Sequence, residues 1–254
     1  MNGRVGGGHG AREGVLPMRI LYVFPHPDDE SFGPAPVMAK QRRDGHEVHL
    51  LTLTRGGATR QRHRYGYSVD EMGEVRYREM LDVARVLDLS SLEVLDLPDS
   101  GLKETDPRAI ESAVREGLER VRPHVVVTYP VHGISGFHDH LVTHAVVKRV
   151  FVEWRERRDE PARLAFHTLT EAQTAAAEVF HLSHSTPEEI DCLVRVDPQD
   201  IETGKEALDC YVTFQETIEK TGIKEKLALE TPFEIFQEAF DPPLGDLFER
   251  LEPN

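Results

Sequence analysis

Short, nearly unbroken apolar runs alternate along this chain with longer stretches of helical period. The runs Arg19–Phe24, Glu47–Thr54, Glu93–Leu97 and His124–Tyr129 read as strands. Their lack of polar alternation is the pattern of strands covered on both faces. Between and after them, Pro34–Asp44, Val69–Leu87, Pro107–Arg120 and His138–Arg158 read as helices. In the second of these, Met80, Val83, Ala84 and Leu87 recur at helical spacing, so one face packs on a sheet. Asp106 followed by Pro107 marks a helix start, with an N-cap acid and a proline in the first turn. Strand and helix in alternation predict an α/β fold, a mostly parallel sheet with crossover helices on both faces.

Past about Asp159 the pattern changes. Arg163–Thr170 and Glu189–Val196 read as further strands, and Asp197-Pro198 opens a helix reaching about Glu219. Pro232–Phe240 reads as a last strand with its aromatics turned inward. A single domain over 18–254 is expected, with a core at 18–158 and a small C-terminal extension at 159–254. Residues 1–17 are glycine-rich without the apolar centre of a signal peptide, and read as a disordered leader.

Composition narrows the partners. A net charge of −15 leaves no basic excess to neutralise phosphates, which argues against nucleic acid and anionic membrane. No apolar run approaches the length of a membrane span. Two cysteines, Cys192 and Cys210, are too few for a secreted disulfide scaffold and read as buried thiols. The expectation is a cytoplasmic protein acting on a small molecule.

The chemistry concentrates after two strands. Pro25-His26-Pro27-Asp28-Asp29-Glu30 follows the first, and carboxyl ends of strands in open α/β sheets are where ligands bind. His26 and Asp29 can reach one metal ion while Asp28 stays free as a base for the water that the metal activates. The competing reading is an Asp-rich turn with Asp29 or Ser31 capping the next helix. A second cluster, His132 to His140, follows His124–Tyr129 on the same sheet edge. The two clusters together favour a three-ligand zinc site with an open position.

Other assignments fail on spacing. His140-Leu141-Val142-Thr143-His144 has Leu141 where a zincin needs Glu, which makes His144 a helix-surface or supporting residue. Gly133-Ile134-Ser135-Gly136 is not a nucleophile elbow. His46, His49, His63, His167, His181 and His184 are scattered and read as ordinary surface or partly buried side chains. Arg60, Arg62 and Arg64 flank His63 after the second strand. They form either a solvated basic loop or a partner for a substrate phosphate or carboxylate.

The two motifs, His26-Pro27-Asp28-Asp29-Glu30 and Phe137-His138-Asp139-His140, resemble those of the LmbE-like, or PIG-L, deacetylases. So do Leu53–Ala58 after the second strand, Arg76–Leu87, Leu97–Leu102 with its Asp-Ser-Gly, and Gly204–Leu208 followed by Phe214-Gln215. The similarity runs from Met18 to about Phe240. It implies a Rossmann-like (LmbE-like) fold and zinc-dependent removal of an N-acetyl group from a glucosamine-type or related small amide substrate. Carried over residue by residue, His26, Asp29 and His140 hold one Zn2+ per chain, Asp28 is the general base, and Arg76 and Asp99 contact the sugar. Homo-oligomers are frequent in such families. One departure stands out: the family commonly has His three residues before its last ligand, where this chain has Phe137. His138 or His132 then becomes the candidate acid or oxyanion partner, with Asp139 to orient a neighbouring histidine.

Overall fold

A computed structural model of the chain describes residues 16–157 and 162–251. The stretch read as a leader lies outside them except for Leu16 and Pro17. The strands are β1 (Arg19–Phe24), β2 (Glu47–Thr54), β3 (Ser91–Leu97), β4 (Val125–Thr128), β5 (Arg163–His167), β6 (Cys192–Arg195) and β7 (Glu230–Ile235). Between them run α1 (Ala35–Arg43), α2 (Arg62–Tyr65), α3 (Val69–Val86), α4 (Pro107–Val121), α5 (His138–Arg155), α6 (Glu171–Ala175), α7 (Pro198–Asp209), α8 (Gln215–Thr221) and α9 (Ile223–Lys226).

All seven strands form one sheet in the order β3-β2-β1-β4-β5-β7-β6. The first five pair in parallel, whereas β7 is antiparallel to both β5 and β6. Side chains alternate between the two faces along β1. Ile20, Tyr22 and Phe24 enter a core with residues of α1, α3 and α7, while Leu21 and Val23 enter one with residues of α4 and α5. Both faces are therefore dry, which is why the strand sequences lack polar alternation.

Strand order reverses between β1 and β4, since β2 lies on one side of β1 and β4 on the other. This reversal opens a crevice at the strands' carboxyl ends. The loops that follow β1 and β4 carry the two His/Asp motifs. Topology alone thus brings together segments about a hundred residues apart.

The late part of the chain departs from the sequence reading at several places, among them the start of the strand read from Glu189, which begins only at Cys192 after a 3₁₀ turn at Pro187–Glu189. The helix from Pro198 ends at Asp209, and the chain passes through a 3₁₀ turn at Val212–Phe214 before α8. The break lets the buried Tyr211 point its hydroxyl toward the β1 loop. The last strand stops at Ile235, because Gln237 takes a left-handed backbone (φ 60). Cys192 is buried but Cys210 is only half-buried; both are free thiols. Among the described residues, no helix is long and apolar enough to cross a membrane.

Candidate active site

The β1 loop leaves the sheet abruptly. Asp28 sits at φ 86, and its carbonyl accepts the amides of Ser31 and Phe32 to close the turn. The turn places His26, Asp28 and Asp29 above the sheet, with Glu30 folded beneath them. The Asp29 carboxylate accepts the His26 backbone amide (2.9 Å) and the Tyr129 hydroxyl (2.7 Å). Asp29 is therefore a held carboxylate rather than a helix cap.

From the β4 side, Gly133 (φ +62) turns the chain so that α5 begins with His138. His140 Nδ1 donates to the Gly133 carbonyl at 2.9 Å, which leaves Nε2 as an acceptor 3.4 Å from Asp29 Oδ1. The Tyr129 ring stacks on the His140 imidazole, with centroids 4.2 Å apart. His26 faces three carboxylates: Nδ1 lies 3.5 Å from Asp29, and Nε2 lies 3.2 Å from Asp139 and 3.4 Å from Asp99. The ligand atoms of His26, Asp29 and His140 come close enough together to hold one metal ion.

A second ring of groups fixes the first, as metal-ligand histidines generally require. Asp139 is 2% exposed and accepts the backbone amides of Ser100 (2.8 Å) and Leu102 (3.2 Å). Its contact with His26 Nε2 leaves Nδ1 to face Asp29. His144, on the next turn of α5, donates to the Tyr129 carbonyl at 2.9 Å. It is thus a buried supporting residue rather than a surface one.

The charges in this cluster act on one another. Burial disfavours a charged His26, but hydrogen bonds to Asp139 and Asp29 and the charge of Asp99 outweigh it and lift the imidazole to about 10. Burial would raise Asp29, yet His140, His26 and the Tyr129 hydroxyl bring it down to about 2. Asp28 moves the other way. Burial lifts it to about 6 despite the Arg76 guanidinium beside it. His140 is lowered by burial, which favours the neutral, ligating form.

Arg76 from α3 is 2% exposed and lies under the loop. It donates to Asp28 Oδ2 (2.5 Å), to the Pro27 carbonyl (2.7 Å) and to the Gly56 carbonyl (3.2 Å). Phe214 covers it at 4.0 Å. Its link to a ligand therefore runs through Asp28. Asp99, by contrast, faces His26 directly and takes the Ala58 amide at 2.6 Å. His138 is exposed, and the contacts of His132 run to the Ile134 amide (3.1 Å) and Ser185 (3.5 Å). Among the described residues, neither bonds to His26, Asp28, Asp29 or His140. Phe137 is 54% exposed, with its ring nearly perpendicular to that of His140.

Sequence reasoning missed two tyrosines. Tyr129 directly follows β4, at the carboxyl end of the strand, a signal that its hydroxyl reaches the crevice. Tyr211 gave no local signal. Its hydroxyl accepts the Asp28 amide (2.8 Å) and donates to the wholly buried Glu30 (2.6 Å), whose carboxyl burial lifts to about 7.

With the geometry described, the chain can be set beside known proteins. A family model described as GlcNAc-PI de-N-acetylase matches residues 21–151, just over half of the chain. A deacetylase of 1D-myo-inositol 2-acetamido-2-deoxy-alpha-D-glucopyranoside from Thermomonospora curvata is 34% identical over 165 residues, which is 57% of this chain and 54% of that protein. A mycothiol S-conjugate amidase from Streptomyces coelicolor is 32% identical over 152 residues, 53% of this chain and 52% of that protein. The chain thus spans about half the length of these curated relatives. Among solved structures, the A40926 pseudoaglycone deacetylase Dbv21 superposes with a TM-score of 0.67 at 18% identity, covering 88% of this chain and 99% of that one. This last likeness is one of fold.

Proposed function

Because the chain belongs to the GlcNAc-PI de-N-acetylase (PIG-L) family, we propose that it is a zinc-dependent hydrolase that removes an N-acetyl group from a glucosamine-type small molecule. The observation that carries this reading is the convergence of His26, Asp29 and His140 with Asp28 beside them. Two imidazoles and one carboxylate, with no fourth ligand grouped with all three among the described residues, are a donor set that suits catalytic zinc. The orientation of His140 by the Gly133 carbonyl and of His26 by Asp139 fits the same reading. When bound there, zinc supplies a Lewis acid for an acyl carbonyl and makes water nucleophilic near neutral pH.

The protein's own groups do the rest. Asp28 accepts the proton of the attacking water and passes it to the leaving amine. Arg76 keeps Asp28 in place and offsets its burial, while Asp99 at the rim of the crevice takes a sugar hydroxyl. Asp139 fixes the ring orientation of His26.

Replacing Asp28 by Asn is expected to leave zinc stoichiometric while lowering kcat by about a hundredfold or more. His26→Ala is expected to lose the metal itself. Elemental analysis beside turnover of N-acetylglucosamine derivatives separates the two. Normal turnover in Asp28→Asn would sink the base assignment.

Phe137 favours a second reading. A side chain that can neither donate a proton nor bind an oxyanion suits a member that holds metal and ligand without turnover. Zinc present with no hydrolysis across a panel of N-acetyl sugars and simple amides would decide for it.

A further inference from the structure

The segment from Arg55 to Ser68 is pinned at both ends. At its root, the Gly56 carbonyl takes Arg76, and the Ala58 amide is bound to Asp99, which faces His26. At its tip, Gln61 donates to Thr217 (3.0 Å), and Arg64 pairs with Glu216 (2.7 Å). The stretch it docks on also lays Phe214 over Arg76. The segment is therefore part of the wall around the crevice.

Its cations are unequally engaged. Arg55 pairs with Glu74 and Asp96, and Arg64 with Glu216. Arg60 and Arg62, on either side of the pinned Gln61, have no acidic partner among the described residues. Arg62 is half-buried, and its Nε is sealed from solvent with no acceptor. A buried guanidinium N–H without an acceptor is unfavourable, and with no carboxylate beside it the Arg62 charge is left for an oxyanion that meets its terminal nitrogens.

We propose that Arg60 and Arg62 form a subsite for an anionic substituent, phosphate or carboxylate, on the substrate whose acetamide enters at His26, Asp29 and His140. The proposal rests on the deacetylase reading for what occupies the other end. The guanidinium fork matches both kinds of oxyanion. The crevice itself is lined by Asp28, Asp29, Asp99 and Asp139, which repel an anionic group. The pair of arginines therefore fixes which end of such a molecule faces the metal.

The test is calorimetric binding to zinc-loaded Asp28→Asn protein, which does not consume its ligand. Three C1 derivatives of N-acetylglucosamine are compared: the neutral methyl glycoside, the carboxymethyl glycoside and the 1-phosphate. The expected result is that one anionic form binds at least about tenfold more tightly than the neutral one at low salt. The favoured arm tells phosphate from carboxylate. That advantage is expected to shrink with added salt and to vanish in Arg60→Ala/Arg62→Ala while neutral binding is unchanged. Arg64→Ala keeps it, and Arg62→Lys restores part of it in the Arg60-intact background. Equal affinities, no binding of any of the three, or an advantage that survives the double substitution would overturn the subsite. An intact advantage in a wild-type protein that hydrolyses no N-acetyl sugar would remove the deacetylase reading and leave the subsite.

Discussion

Gly133 shows how tightly a single residue can hold the candidate centre. Its left-handed backbone (φ +62) turns the β4 loop, and its carbonyl orients His140. A Cβ added there would stand 2.9 Å from the His140 Cβ. Gly133→Ala is therefore expected to push His140 out of line and weaken zinc retention about tenfold or more, read by competition with a chelator. Unchanged retention would show that the loop gives way freely. At this scale the sequence disclosed the residues that stand side by side in motifs. The meeting of His26, Asp29 and His140 was readable because each motif lies in the stretch after an apolar strand on the same sheet edge. The partners that orient them were harder. Asp139 was named from sequence to orient a neighbouring histidine, but only its buried bonds to Ser100, Leu102 and His26 show which one. Exposed His138 beside it carries the same kind of polar signal in sequence.

Elements carry these residues only as well as their ends are fixed. Helix α3, which delivers Arg76 and Glu79, starts with a reciprocal capping box. The Ser68 hydroxyl takes the Glu71 amide (3.2 Å), and the Glu71 carboxylate takes the Ser68 amide (2.8 Å). Ser68→Ala is expected to cost about 1 kcal/mol, which for a chain of this size lowers the melting midpoint by about 2–4 °C. No shift in thermal unfolding would mean that packing of α3 sets its start. The first four strands and α1, α3, α4 and α5 were predicted to within a few residues, because each is a run with a single period, whereas the four-residue α2 was read as loop. Later elements are short and governed by distant contacts. The helix beginning at Pro198 runs through Gly204 and carries no proline or glycine near Asp209, where it stops. It ends where it does because Tyr211 is drawn to Asp28 and Glu30, and because Thr213 is drawn by two bonds to Glu79.

For the molecule as a whole, burial of one histidine is expected to appear in the pH dependence of stability. His167, at the end of β5, is 3% exposed, and burial holds its imidazole down to about 4. A histidine held below its unfolded value near 6.5 contributes fully above that value, and the contribution fades as pH falls toward 4. The total at stake is about 3 kcal/mol. Denaturant unfolding with a chelator present should therefore show the wild type losing stability over that window more steeply than His167→Gln. Parallel profiles would assign the acid sensitivity to other groups.

The Tyr211 hydroxyl that joins the Asp28 amide to Glu30 is separated from them by 183 and 181 positions. Closing so long a stretch of chain costs entropy before any contact is gained, and structures rich in distant contacts assemble slowly. A nascent chain that has released both motifs still lacks this brace. The pocket's final geometry therefore belongs to the end of folding, and a protein stalled earlier would present the ligands without the alignment that chemistry needs.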